Sequence, residues 1–450
     1  MATKHYEVLI VGGGISGAAL FYELAKYTDI KSIALVEKYE KLAKLNSCGT
    51  SNSQTIHCGD IETNYTVEKA KGVKRTANMI AKYCLQHNYQ NKFMFAHQKM
   101  ALGVGEEEVY YMKKRYEDFQ NLFPYLKVFD KEKLAQIEPK LVFDRNGKYR
   151  PDEIVGVGVE AGSKHYSTVD FGIMTETFVK NAKKIKDKVT DVYLNSKVIE
   201  IQKDDSKHII KTQHQTFTAD FVVVNAGAHS LYIAHQMGYG TDYGCLPMAG
   251  SFYLTTKKIL NGKVYMVQNP KLPFAALHGD PDILANGFTR FGPTALALPK
   301  LERYTGGTYM DFAKTLNFDT NILKIFSDLL SDKDIRNYIF RNFMFEVPYI
   351  NKKLFVKDAR KIVPSLELDD IRYAKGFGGV RPQVLDKKNK KLMLGEASIN
   401  PGTGIIFNMT PSPGATSCLG NAERDTKMVC TYLNKQFNQD EFNKDLVDED

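Results

Sequence analysis

The segment YEVLIVGGGISGAALFYELA, starting at Tyr6, constrains this 450-residue chain more than any other. A short apolar run, Val8 to Val11, feeds Gly12-Gly13-Gly14-Ile15-Ser16-Gly17, and Ala18 and Ala19 follow before larger apolar side chains. That order predicts a strand, a glycine turn and a helix packed tightly on a sheet. Ser32 to Val36 predicts the next strand, with Glu37 at its end and Lys38 after it. A bare G-x-G-x-x-G match says little, but strand, turn, helix, second strand and terminal acid together form a dinucleotide-binding fingerprint. Gly12 permits the tight turn, Gly14 lets the backbone approach a pyrophosphate, and Gly17 lets helix and strand close up. The helix start at Ile15 and Ser16 offers N–H groups and partial positive charge to phosphates. Glu37 would accept hydrogen bonds from ribose hydroxyls and repel a 2′-phosphate.

A second candidate, VGVGVEAG from Val155, runs into Gly162 and Ser163 rather than a helix, so the chain carries one fingerprint. Residues from about Val67 to His87 predict a helix with Ala70, Val73, Ala77, Ile80 and Ala81 inward and lysines in solvent. Ser167-Thr168 is expected to cap a helix with Phe171, Met174 and Phe178 inward. Val198 to Ile201 reads as a strand, and Ala219 to Gly227 reads as a buried parallel strand ending in a glycine turn. Between Gly250 and about Asn269 apolar residues alternate, which predicts an antiparallel sheet with one exposed face. Tyr309 to Phe345 reads as helical, and Phe377 to Arg381 and Ile405 to Met409 as strands. A Pro/Gly turn and a helix from about Ala415 follow, and the acidic end, Asp445 to Asp450, is expected to fray. Dinucleotide-type segments thus flank material of another character. The expected architecture is α/β: a Rossmann-like dinucleotide domain (1–90, 155–240 and 370–450) and a discontinuous second α+β domain on a mixed or antiparallel sheet (91–154 and 241–369).

The bulk properties exclude several classes. Sixty-one basic against 52 acidic residues give +9, spread along the chain rather than gathered in the stripe that nucleic acids require. Such an excess suits an ordinary basic protein or weak attraction to an anionic membrane face. Six cysteines form no Cys-x-x-Cys pair and no zinc-like spacing with histidine, so no metal site and free thiols in a reducing compartment are expected. No apolar run approaches the roughly 18 residues needed to span a bilayer, and the start lacks the layout of a signal peptide.

NSCGTSNSQTIHCGDIETNY (Asn46 to Tyr65), ADFVVVNAGAHS (Ala219 to Ser230) and NMTPSPGATSCLGNA (Asn408 to Ala422) resemble the segments that bury FAD in D-amino-acid-oxidase-like flavoproteins. The resemblance implies FAD, with Ser53, Gln54, Thr55, Val198, Asn225, Ala226, Gly227, Pro413, Gly414, Ala415 and Thr416 joining the fingerprint residues around it. In GFGGVRPQVLDKK it implies that Arg381 lies beside the flavin and grips a substrate carboxylate, as a guanidinium does in bidentate fashion. In PKLPFAALHGDPDILANGFTRFGPTALALPKLER, His278 and Arg290 suggest a hairpin returning beside the same site. A neutral imidazole suits removal of a hydroxyl proton. His57 is the competing base, ranked as positioning flavin or substrate.

Taken together, SNSQTIHCGDIETNYT, LPFAALHGDPD, RFGPTALALPKLER, GFGGVRPQVLD and FNMTPSPGATS make nearly the whole chain similar to the malate:quinone oxidoreductase family, in its shorter branch. The commoner branch has Trp-Asn-Asn-Ala-Gly-Thr-Gly-His where this chain, without tryptophan, reads Gly49-Thr-Ser-Asn-Ser-Gln-Thr-Ile-His57. The family implies FAD-dependent oxidation of (S)-malate to oxaloacetate, electrons passing to membrane quinone, and a cytoplasmic enzyme peripheral on the inner face of the cytoplasmic membrane. Expected roles are His278 as base, Arg381 on one carboxylate, and Arg290 with Lys271 on the other. L-2-hydroxyglutarate dehydrogenase or oxidase, amino-acid oxidase, and a non-catalytic or nucleic-acid-modifying flavoprotein stand as alternatives.

Overall fold

The opening apolar run becomes the strand Lys4–Val11, at the middle of a sheet ordered Ala397–Ile399, Ile405–Met409, Thr216–Val224, Lys4–Val11, Ser32–Val36, Val189–Tyr193. The computed structural model describes residues 3–268, 276–347, 349–393, 395–411 and 413–447. From Ile405–Met409 through Val189–Tyr193 the pairings are parallel, so both faces are covered by helices. Val8, Ile10, Phe221 and Val223 pack on one side with the helices Ile15–Tyr27, Phe171–Ala182 and Cys418–Leu433. Leu9, Val11, Val222 and Val224 pack on the other, with Ile233 and Ala234. The strand Thr216–Val224 alternates in burial in its first half and is wholly buried in its second. The first half pairs with the antiparallel strand Lys207–Thr212, and the second lies between the two helix layers.

Two glycines make the nucleotide turn possible. Gly12 has φ +114°, and a Cβ there would stand 2.4 Å from the Asn225 carbonyl oxygen. A Cβ on Gly17 would stand 2.0 Å from the Gly12 carbonyl oxygen, so only glycine lets this helix sit on its strand.

A second, eight-stranded sheet runs Ile371–Tyr373, Tyr253–Thr255, Thr289–Gly292, His278–Pro281, Lys263–Met266, Lys99–Val104, Ile154–Val159, Lys127–Phe129. It is antiparallel except where Lys263–Met266 runs parallel to Lys99–Val104. A third, smaller sheet pairs Leu296–Ala297, Tyr243–Ala249, Val380–Asp386 and Lys391–Met393. Two stretches grouped above with the dinucleotide segments belong elsewhere by hydrogen bonding. Ile154–Val159 lies in the second sheet, and residues 371–393 supply strands to the second and third.

Other local departures have simple causes. Thr168–Val169 pairs with Met94–Phe95, and the following helix is capped instead by Asp170, whose Oδ1 accepts from Gly172 N at 2.8 Å and Ile173 N at 3.2 Å. Tyr253–Thr255 shows no exposed face, because Phe355 stacks on Tyr253 with ring centroids 4.0 Å apart. Residues 309–344 form three helices, Tyr309–Leu316, Thr320–Ser331 and Lys333–Met344, broken at left-handed Asn317 and at the cap Asp332. The last large helix starts at Cys418, after a turn through Ala415 to Ser417. Asp445 does not fray: it lies in the last turn of the helix Gln439–Leu446, paired with Lys26 and accepting from Tyr27 OH at 3.0 Å. Residues 448–450 lie outside the described residues.

Gly17→Ala is expected to cost at least about 1–3 kcal/mol, because the added methyl meets backbone rather than a movable side chain. A urea unfolding midpoint equal to the parent's would contradict this packing.

Candidate active site

Two cavities meet beside the seam between the sheets. The first, ≈ 400 Å³, starts at the nucleotide turn and is lined there by Val11, Gly12, Gly14, Ile15 and Ser16, with Glu37 and Lys38 across from them. Its walls continue through Val198, Asn225, Ala226 and Gly227, then Ser53, Thr55 and the late turn Pro413 to Thr416. The second, ≈ 490 Å³, opens past Tyr65, Lys69, Tyr265, Gln268 and Gln383. Ser53, His57, His278 and Arg381 line both.

The nucleotide end is built on backbone donors. Glu37 accepts from Gly13 N at 2.7 Å and Tyr39 N at 2.9 Å, and burial raises its pKa against those bonds. Ser47, a residue that the motif does not mark, takes the Ile15 N–H at 2.9 Å. Lys38 pairs with buried Glu302, which also accepts from Tyr39 OH at 2.5 Å. Gly17 does not line the cavity and packs against the Gly12 carbonyl. Gln54 turns away from the cavity: its Nε2 donates to Asp282 Oδ1 at 3.0 Å, and its Oε1 accepts from Ile283 N at 3.1 Å. It locks the segment to the hairpin rather than lining the cavity.

His278 and Arg290 do lie on one hairpin, His278–Pro281 against Thr289–Gly292. His278 is 2% exposed and stacks on Tyr265 with centroids 4.2 Å apart. Its Nδ1 lies 3.2 Å from the Ala276 carbonyl oxygen, which assigns the ring proton to Nδ1 and leaves Nε2 as the basic nitrogen. Nε2 stands 3.2 Å from Asp280 Oδ2 but is not aligned for a hydrogen bond. Burial pushes the Asp280 carboxyl up, yet Lys263, His278 and Arg290 outweigh it and hold the group near 2, ionised. Burial in turn brings the Lys263 ammonium down to about 8, partly offset by Asp280. Lys263 donates to Ser53 O at 3.1 Å and Thr55 Oγ1 at 3.0 Å, and Thr55 Oγ1 meets Tyr265 OH at 2.7 Å.

Arg290 departs from expectation. It lines neither cavity, is fully buried, and faces Asp282 at 3.2 Å and the Gly49 carbonyl at 3.2 Å. Its charge is engaged in holding the early segment. Lys271 lies outside the described residues. His57 bridges segments: Nδ1 is 2.6 Å from Glu62 Oε1, and its N–H donates to Thr416 Oγ1 at 3.2 Å. Arg381 has no acidic partner among the described residues; burial lowers its pKa, while Tyr338, Tyr265 and Tyr65 act the other way. Asp280 was within reach of sequence reasoning, two residues from His278 on one strand face. Lys263 carried no such signal.

The malate:quinone oxidoreductase family profile matches residues 4–446. A probable malate:quinone oxidoreductase of Campylobacter jejuni is 62% identical over 99% of this chain and 100% of that protein. The malate:quinone oxidoreductase of Helicobacter pylori strain 26695 is 50% identical over 100% and 99%. The mitochondrial L-2-hydroxyglutarate dehydrogenase of Caenorhabditis briggsae is more distant, 27% identical over 95% and 93%. Among solved structures, L-α-glycerophosphate oxidase of Mycoplasma pneumoniae with FAD bound is similar with a TM-score of 0.65 at 20% identity, covering 97% of this chain and 96% of that one. At that identity the likeness is one of fold.

Lys263→Met tests the charge balance around Asp280. In the parent, Asp280 has a depressed pKa, so its contribution to stability is present above the ordinary carboxylate range and is lost only as pH falls through about 2. Without the ammonium, burial dominates and raises that pKa. The variant's melting deficit should then be largest at pH 7–8 and shrink towards pH 5. An equal deficit at both ends would contradict the assignment.

Proposed function

The chain belongs to the malate:quinone oxidoreductase family, and from that premise we propose how its residues carry the reaction. It oxidises malate to oxaloacetate, uses FAD, and passes the electrons to quinone. The cavity fits FAD: a long channel begins at Gly12, where the positive φ opens the backbone, passes the anchored Glu37 carboxylate, and ends beside His278 and Arg381. Gly12, Gly14, Ser16 and Glu37 would hold the adenosine and pyrophosphate end, and Ser53, Thr55 and the Pro413–Thr416 turn the flavin end. When bound, FAD supplies the two-electron acceptor for the C2–H bond of malate.

The observation that carries the reading is the Arg381 guanidinium, which faces both cavities without an acidic partner among the described residues. A half-buried cation in that state calls for an anion from outside the chain. Arg381 binds the malate carboxylate next to C2. His278 Nε2 receives the hydroxyl proton, and the ionised Asp280 at 3.2 Å stabilises the imidazolium formed. With Arg290 engaged by Asp282, the distal carboxylate is assigned to Lys69, which lines the second cavity beside the Tyr65 ring, 4.1 Å from its centroid. Two cations at opposite ends of the substrate favour a dicarboxylate over a monocarboxylate. His57, held by Glu62, positions the flavin-side segment. We place the protein peripherally on the inner face of the cytoplasmic membrane; no helix among the described residues is long and apolar enough to cross one.

Anaerobic mixing with (S)-malate should bleach the flavin, and soluble quinone should restore it. Bleaching by L-2-hydroxyglutarate alone would move the substrate assignment while keeping the site. His278→Ala should slow flavin reduction by about 10²–10⁴, whereas His57→Ala should affect it less; the reverse order would exchange the two roles. Arg381→Lys should lower kcat/KM for malate about 10–100-fold, as a point charge replaces a fork. Lys69→Met should lower it for malate but not for lactate, and an equal loss on both would remove Lys69 from the distal contact.

A further inference from the structure

The acceptor of this enzyme's electrons is a quinone, and membrane quinones are dissolved in lipid, so the protein needs a face that meets a bilayer. This inference rests on that reading of the acceptor. Large exposed apolar side chains are concentrated in one stretch: among the described residues, ten of the 24 lie between Tyr304 and Ile350. On the helix Thr320–Ser331, Ile322 and Ile325 are buried while Leu323 (52%) and Leu330 (47%), one heptad apart, face outward. On Lys333–Met344, Asn342 is buried and Phe340 (66%) and Phe343 (57%) face outward.

The two outward faces belong to one surface. Ile322 and Ile325 pack with Leu246 and Leu385 of the third sheet, and Tyr338 packs with Leu246 and Met248. Leu246 and Met248 alternate on one strand, Tyr243–Ala249, so both helices cover the same face of that sheet. Their other sides therefore point away from it together, and the helices also pack on each other. Charge follows the same pattern. Asp319 and Asp332 cap the two helices, and Glu346 pairs with Arg303. Exposed Lys324, Lys333, Arg336, Lys353 and Lys357 stand on or beside these helices with exposed Asp328, and Arg341 pairs with Asp358. Exposed apolar side chains interspersed with exposed cations are the composition of a helix that lies in an anionic interface. The inner side of the same layer reaches the reaction site, since Tyr338 lies beside Arg381. One helix thickness, about 10 Å, separates the outer face from that guanidinium's surroundings.

We propose that the outward face of the helices Thr320–Ser331 and Lys333–Met344, centred on Leu323, Leu330, Phe340 and Phe343, is the surface by which this protein docks on an anionic lipid bilayer. Co-sedimentation of the holoenzyme with vesicles of phosphatidylcholine containing phosphatidylglycerol tests it. The parent should bind these vesicles and bind pure phosphatidylcholine more weakly. Phe340→Glu/Phe343→Glu should lower partitioning about 100-fold, given the apolar area of two phenylalanines. Leu323→Glu/Leu330→Glu should do the same from the neighbouring helix. Both variants should keep their flavin and the parent rate with malate and a water-soluble quinone, while losing activity with a long-chain quinone held in vesicles. Failure of malate to bleach the parent would overturn the substrate reading without touching vesicle binding. Partitioning of the variants equal to the parent's would overturn the docking surface. A parent dimer that the variants split, with no vesicle binding by either, would overturn it in favour of self-association.

Discussion

A row of buried charge crosses the second sheet, and the arrangement of the molecule depends on it. Lys263 pairs in register with Lys99. Val264 and Tyr265 pair with Gly279 and His278, which sets Lys263 opposite Asp280, and Asp280 pairs with Arg290. All four are fully buried, where an unpaired charge would cost several kcal/mol. Asp280 is the one acid in the row. The remaining charge is met by Asp282, 3.2 Å from Arg290, and from the irregular segment 46–60: the Asp60 carboxylate at 2.8 Å from Lys99, the Ser53 carbonyl on Lys263, and the Gly49 carbonyl on Arg290. A stretch with little regular structure is thereby held against the sheet at three points.

The same segment is fastened on its other side. Ile56 N donates to Ser167 O at 2.9 Å, Val169 N donates to Gln54 O at 3.0 Å, and His57 N reaches Thr416. Residues 53–57 thus link the Met94–Phe95/Thr168–Val169 ladder, the second sheet and the late turn, and both cavities meet at that link. The next cross-strand pair along the row is Tyr265 with His278. The proposed base is therefore stacked, oriented and placed beside an ionised carboxylate by the pairing that balances the row.

The dinucleotide half was legible because its constraints are local. A buried parallel strand needs a continuous apolar run, and the turn needs glycine where a Cβ would strike backbone, as at Gly12 and Gly17. The charged row was not legible. Lys263 sits in an alternating stretch whose polar positions suggest solvent, and only cross-strand pairing with Asp280 makes a buried lysine tolerable. Arg290 is hidden for the same reason: an arginine near the site reads as a substrate contact, whereas the fold sets Asp282 3.2 Å from it. Arg381 could be singled out from the family resemblance at its Val-Arg-Pro position, yet its lack of an acidic neighbour among the described residues is a property of the folded chain. The helix reading of 309–345 had the right type, but the breaks at Asn317 and Asp332 follow from how three short helices cover a small sheet.

That small sheet shows how register alone can tie a site to the rest of a protein. Along Val380–Asp386 successive side chains serve opposite faces. Val384 packs with Cys245, Leu231 and Met409 against the end of the dinucleotide sheet. On the other face Arg381 reaches both cavities, Gln383 lines the second, and Leu385 lies under Ile322 and Ile325. The pairing of Met248 with Arg381 fixes this assignment. A slip of one residue would turn the guanidinium into the apolar contact with the first sheet and remove the cation from both cavities. Substrate grip, cofactor-side packing and the outer helix layer therefore share one strand, so none of them can shift alone.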